Sequence, residues 1–107
     1  MHFARSSLAA IAVTLAAQNV QAQEVGDLRT GRALARQVCA ECHAVRRGDA
    51  RSPNSNSPSF VAIASTPGMT ATALNVFLHT SHRSMPNLIL TADQTNGIIA
   101  YILSLKK

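Results

Sequence analysis

Apolar positions recur at helical spacing in three stretches of the chain, and no stretch alternates apolar and polar residues with the period of two that marks a strand. Over residues 27–38, Gly31, Leu34, Ala35 and Val38 fall at i, i+3, i+4 and i+7, on one face of a helix. Over residues 71–79, Leu74, Phe77 and Leu78 share a face, and Thr70 is well suited to cap the first turn. Over residues 92–105, Ile98, Tyr101, Ile102 and Leu105 share a face. This last stretch is preceded by Thr91-Ala92-Asp93-Gln94, a threonine followed three residues later by glutamine, which is the form of a capping box. A shorter apolar piece, residues 60–64, has room for one or two helical turns. The expected fold class is all-α.

The intervening segments carry turn chemistry. Residues 52–58, Ser-Pro-Asn-Ser-Asn-Ser-Pro, predict a surface loop, and Thr66-Pro67-Gly68 predicts a turn. Met85 precedes Pro86, whose ring disfavours the α region at the residue before it, so the chain runs extended or turned there.

The first 22 residues follow a different rule. Arg5 is followed by an apolar run over residues 8–17 and then by Val20-Gln21-Ala22. That order matches the charged, apolar and small-residue regions of a secretory signal. The apolar run is about half of the roughly 20 residues needed to cross a bilayer. The expectation is cleavage after Ala22, export to the periplasm without a permanent membrane span, and a single mature domain over residues 23–107; the competing reading is an uncleaved anchor.

A mature chain of this length has a thin core, with Phe60, Phe77 and Tyr101 as its aromatic residues. Domains this small usually need a disulfide framework, a metal or another staple. A large apolar cofactor would meet that need. Removing the signal takes Arg5 with it and leaves nine Lys/Arg against five Asp/Glu, a formal net charge of +4. The excess is mostly arginine: Arg29, Arg32, Arg36, Arg46, Arg47, Arg51 and Arg83. A basic surface suits nucleic acid, an anionic membrane or an acidic protein. Export argues against nucleic acid, and the basic residues lack the interleaved aromatics of a single-strand stacking platform. A solvated basic face and an acidic protein partner remain.

The chemistry is concentrated in Cys39-Ala40-Glu41-Cys42-His43. C-x-x-C-H reads as a c-type haem attachment site. At a helix end, positions i and i+3 face one side, so both thiols reach the two vinyl groups of one haem, and the next residue brings an imidazole under the iron. Histidine is a common proximal ligand of haem iron. Three other readings compete. A redox-active dithiol normally accompanies a βαβ pattern, which is missing here. Half of a zinc site would need a second ligand pair at suitable spacing. A simple disulfide is the third. For the far side of the iron the candidates are Met85, His79, His82, Met69 or an open position. Met85 is favoured: it lies in a non-helical loop held by Pro86, 42 residues beyond His43. Met69, beside Pro67-Gly68, suits a core-filling role.

On these residues the mature chain resembles the small class I bacterial monohaem cytochromes c over essentially its whole length. The resemblance rests on Gly31 eight residues before Cys39, the Cys39–His43 motif, Pro58 within Ser57-Pro58-Ser59-Phe60, Met85-Pro86-Asn87, and Ile99-Ala100-Tyr101. It implies a cytochrome c fold, with first and last helices crossing at Gly31 near Ile98 and Tyr101 and shorter helices and loops around the haem. It also implies one covalent haem c, with iron bound by His43 and Met85. The Pro58 carbonyl is expected to accept a hydrogen bond from the other ring nitrogen of His43. Phe60, Leu74, Phe77, Leu88 and Leu90 are candidates for the haem pocket wall. The chain departs from the pattern in its longer, glycine-poor loop before Pro58 and in having no tryptophan to bond a haem propionate.

The function so implied is that of a monomeric one-electron carrier, not an enzyme, shuttling between a donor and an acceptor redox protein. Arg46, Arg47 and Arg83 flank the ligand regions and would steer an acidic docking surface. Two alternatives stand beside it: the haem subunit of a periplasmic dehydrogenase, and a haem sensor in which Met85 is displaced by a gas.

Overall fold

The structure, a computed structural model, describes residues 26–82 and 84–107. The signal segment expected over residues 1–22 lies outside the described residues, as does Arg83. Among those described, the chain forms α1 (Leu28–Gln37), a single 3-10 turn (Cys39–Glu41), α2 (Phe60–Ala64), α3 (Ala71–Leu78) and α4 (Ala92–Ser104). Extended pairing among them amounts to one isolated bridge between His82 and Met85. None of the described helices is long and apolar enough to cross a membrane.

Each helix begins where a short polar side chain satisfies backbone donors that the first turn leaves free. The Asp27 carboxylate accepts from the backbone N–H of Arg29 at 2.9 Å and from the Thr30 hydroxyl at 3.1 Å. Ser59 accepts from Ala62 N at 3.1 Å, and Thr70 from Ala73 N at 3.1 Å. At Thr91 the capping box is complete: its hydroxyl accepts from Gln94 N, and the Gln94 side chain accepts from Thr91 N.

The longest helix, α4, is the organising element; α1, α2 and α3 all pack on it. Its buried Ile98, Ile99, Tyr101 and Ile102, with Leu105 just beyond its end, form one core with Ala35 of α1, Phe60 and Ala64 of α2 and Leu74 of α3. The α1–α4 crossing is closer than any side chain allows. A methyl group at Gly31 would collide with the backbone carbonyl of Gly97, and one at Gly26 with the carbonyl of Asn96. The close approach expected near Ile98 and Tyr101 therefore centres on Gly97 and Ile98, one turn earlier than Tyr101. The ring of Tyr101 is used elsewhere: its hydroxyl donates to the Val45 carbonyl at 2.5 Å.

Two apolar faces read from the spacing are only partly buried. On α1, Gly31 and Ala35 are buried, but Val38 is 41% exposed; on α3, Leu74 is buried, but Phe77 is 53% exposed. In both cases the next residue, Cys39 or Leu78, does pack against the core, so the outlying side chain points away from it.

Residues 43–59 return from the end of α1 to α2 and are pinned at several points. Phe60 N donates to Ala44 O at 2.9 Å, Ala44 N donates to the Ser52 hydroxyl at 2.9 Å, and Asn54 N donates to Cys42 O at 3.1 Å. The Ser/Asn-rich segment expected to be a plain surface loop is thus tied back to the motif it follows. Arg47 spans the molecule, donating to the carbonyls of Leu105 at 3.2 Å and Ser104 at 2.8 Å. It satisfies the free carbonyls at the end of α4 and sets a positive charge against the negative end of that helix.

Candidate functional site

The site grows out of the end of α1. The last helical bond runs from Val38 N to Leu34 O, and the chain then tightens into the 3-10 turn. Both Cys42 N and His43 N donate to Cys39 O, at 3.2 Å and 2.9 Å. One turn therefore carries both cysteines, half-buried and with free thiols, and delivers His43 directly after them. Burial raises the Cys39 thiol above its ordinary range. Redox-active dithiols have a lowered thiol pKa, so this environment runs against a catalytic dithiol. The disulfide reading is not realised, and among the described residues no group of three or more His, Cys, Asp or Glu is arranged to hold a metal ion.

His43 is held in one orientation. Its Nδ1 lies 2.6 Å from the carbonyl oxygen of Pro58. A carbonyl only accepts, so Nδ1 carries the proton, and the neutral ring keeps its lone pair on Nε2. Pro58 is positioned by the start of α2, where Ser59 caps and Phe60 N bonds Ala44. Phe60 is buried and supports the imidazole from within the core, its ring 5.5 Å from that of His43 and 6.4 Å from that of Tyr101.

The second ligand segment follows α3. Met85 N donates to His82 O at 3.1 Å, which ties Met85 back to His82. Met85 is half-buried and outside the core cluster, whereas Met69 packs against that cluster. The two neighbouring histidines are exposed and donate locally through Nδ1: His79 to Asn75 O at 2.7 Å and His82 to Thr80 O at 2.9 Å. The His82 ring stands edge-on to Phe77, with centroids 6.0 Å apart. Of the expected pocket-wall residues, Phe60 and Leu74 are buried in the core, Leu88 and Leu90 are half-buried, and Phe77 is open to solvent.

The donor set and the surface fit a covalently held haem. Two free thiols share one turn, and an imidazole with a lone pair on Nε2 follows them. Large apolar side chains are uncovered next to both ligand segments: Val38 before Cys39, and Val76, Phe77 and Ile89 around the Met85 turn. Ile89 is fully exposed, and sequence reading did not single it out. Its signal is the Leu-Ile-Leu run after Met85-Pro86-Asn87, which is too short to show a period. Exposed apolar surface of this kind marks a binding site. Cys39 and Cys42 would hold the haem covalently, with His43 on its iron.

Beside His43 lies a cleft of about 220 Å³, lined among others by Arg36, Arg46, Asp49, Arg51 and Pro53. Sequence reading took Arg46 as a steering charge for an acidic partner and Arg36 and Arg51 as part of a general basic surface.

Comparison with known proteins agrees with this geometry. Residues 26–102 match the family described as "Cytochrome C oxidase, cbb3-type, subunit III". The chain is 33% identical over 96 residues to a protein named cytochrome c-552 from Bradyrhizobium diazoefficiens, a match covering 90% of this chain and 88% of that relative. No solved structure matches it significantly. With its C-x-x-C-H turn, its all-α frame and this match over most of its length, the chain belongs to the c-type cytochrome family, whose members carry covalently attached haem c and transfer electrons.

Proposed function

We propose that the protein is a periplasmic monohaem cytochrome that carries single electrons between a donor and an acceptor protein, its iron held between His43 and Met85. The observation that carries this reading is the 2.6 Å contact between His43 Nδ1 and the Pro58 carbonyl. It fixes the tautomer and orients the ring, leaving Nε2 free to bind, as outer partners of metal-binding histidines do. A further support is the contrast between the two methionines. Met69 is packed on the core, and Met85 sits in a turn outside it, next to uncovered apolar side chains.

The haem supplies the one-electron chemistry when bound, and the chain supplies orientation, dielectric and a docking surface. Methionine opposite histidine raises the potential. The uncovered Phe77, Val76 and Ile89 would exclude water from the Met85 side. With His43 and Met85 both holding the iron, a substrate would find no open position on it, which favours a carrier over an enzyme.

The test is the visible spectrum of protein matured in the periplasm, oxidised and reduced, beside that of Met85→Ala. The expected result is a haem that survives denaturation and a weak near-red sulfur-to-iron band that disappears in the variant. A covalent haem with no such band in the unaltered protein would transfer the sixth position to His79, His82 or an open site. The mass of the mature polypeptide tests export, with Gln23 expected as its first residue.

A further inference from the structure

Three of the arginines converge. Arg36 comes from the last turn of α1; Arg46 and Arg51 come from the segment after the C-x-x-C-H turn. All three line the cleft of about 220 Å³, of which His43 forms one side. Asp49 is the one acidic residue lining it, and its carboxylate is occupied locally, accepting from Arg46 N at 3.2 Å. Asp49 N in turn donates to Arg46 O at 3.2 Å, so the two residues form a closed turn that holds one rim of the cleft. Three guanidinium charges against one carboxylate leave the cleft with a formal charge of +2. The remaining wall includes the apolar residues Ala40, Ala44, Val45 and Pro53. Arg47 does not contribute, because it is engaged with the end of α4.

We propose that this cleft is a binding site for a small oxyanion of the phosphate type. Arginine presents paired N–H donors in a planar fork that matches the oxygens of phosphate. A concave site lined by one sign of charge strengthens the attraction relative to an open surface. The volume leaves ample room for a polyatomic ion, and the charge matches a dianion. The site is built from two segments that the C-x-x-C-H turn joins. It stands on the cleft and is independent of which residue is the sixth ligand.

The test is calorimetric titration of the haem-loaded protein with inorganic phosphate at constant ionic strength, with chloride as the reference anion. Two double variants are compared. Arg36→Gln/Arg51→Gln alters the cleft; Arg29→Gln/Arg32→Gln removes the same charge from the exposed side of α1. The haem spectrum of each preparation reports separately on the cytochrome site. The expected result is one saturable phosphate site per chain, weakened roughly tenfold or more in the cleft variant and unchanged in the control. Two outcomes would overturn the proposal: no saturable phosphate binding, or equal weakening in both variants. Binding of a glutamate-rich peptide through these arginines, with none of phosphate, would also overturn it and make the cleft part of a protein docking surface.

Discussion

At the scale of single residues, the site depends on side chains whose partners are backbone carbonyls far away in sequence. His43 reaches Pro58, Tyr101 reaches Val45, and Arg47 reaches Ser104 and Leu105. Carbonyls accept without changing protonation state, so these contacts hold the haem-binding segment rigidly without adding buried charge. Tyr101→Phe removes a buried donor while keeping the ring that packs on Phe60. The expected loss is about 1–2 kcal/mol, read as a lower denaturation midpoint at unchanged slope. The haem spectrum should stay the same, because Tyr101 touches the site only through Phe60 and the Val45 backbone. Of these contacts, the sequence pointed to His43 and Pro58 through family resemblance. It read Arg47 as a charge that steers an acidic partner and gave no sign of its bonds to the end of α4. A side chain's use is invisible when its partner is a backbone carbonyl 57 or 58 positions away.

At the scale of elements, the α1–α4 crossing carries the fold. Gly31→Ala drives a methyl into the Gly97 carbonyl, and both helices must separate to relieve it. The expected cost is about 3 kcal/mol or more. Gly48→Ala is the contrast: a side chain there meets nothing within 4 Å and its backbone is unstrained. It should be neutral or stabilise by roughly 0.5 kcal/mol by restricting the unfolded chain. Thermal unfolding of the two variants side by side separates crowding from loss of glycine as such. The start of α1 adds a pH dependence. The backbone N–H of Arg29, and then the Thr30 hydroxyl, hold the Asp27 carboxyl below its ordinary 3.8. A depressed folded pKa means that the contribution is fully present above the unfolded value and is lost as pH falls through the folded one. Asp27→Asn keeps an acceptor oxygen but does not titrate. The stability difference between the unaltered protein and this variant should therefore shrink as pH falls below about 4, measured by denaturant midpoints across the acid range. Spacing, with caps at Thr70 and Thr91, made the four described helices legible, because both are properties of near neighbours in the chain; the caps at Asp27 and Ser59 were not read. The buried faces were less legible: Val38 and Phe77 continue the apolar period but are exposed, while their neighbours Cys39 and Leu78 pack against the core.

At the scale of the whole molecule, a thin core coexists with uncovered Val38, Val76, Phe77 and Ile89. A chain of this size gains much of its stability from what it binds, since a ligand taken up by the folded form alone shifts the equilibrium toward it. Cys39→Ala/Cys42→Ala, which cannot attach haem covalently, should unfold at a temperature lower by roughly 10 °C or more. It should also bind a hydrophobic dye that the haem-loaded protein does not, through the same uncovered side chains. A double variant that keeps the melting temperature and leaves the dye unbound would show that the polypeptide core is sufficient alone.

What the sequence determined by itself is what five to fifteen consecutive residues decide. That covers the described helices, the caps at Thr70 and Thr91, the non-helical backbone at Met85-Pro86, and the cofactor implied by Cys39-Ala40-Glu41-Cys42-His43. Hydrogen bonds within one turn, ring constraints and i, i+3 spacing all act over that range. Tertiary structure decided the rest. It chose Gly97 and Gly26 as the points where backbones meet, gave Arg47 to the end of α4, and gathered Arg36, Arg46 and Arg51 around one cleft. Each of these depends on how α1 and α4 cross and on how residues 43–59 fold back over them. A single sequence gives distant residues no shared periodicity from which such a meeting can be read.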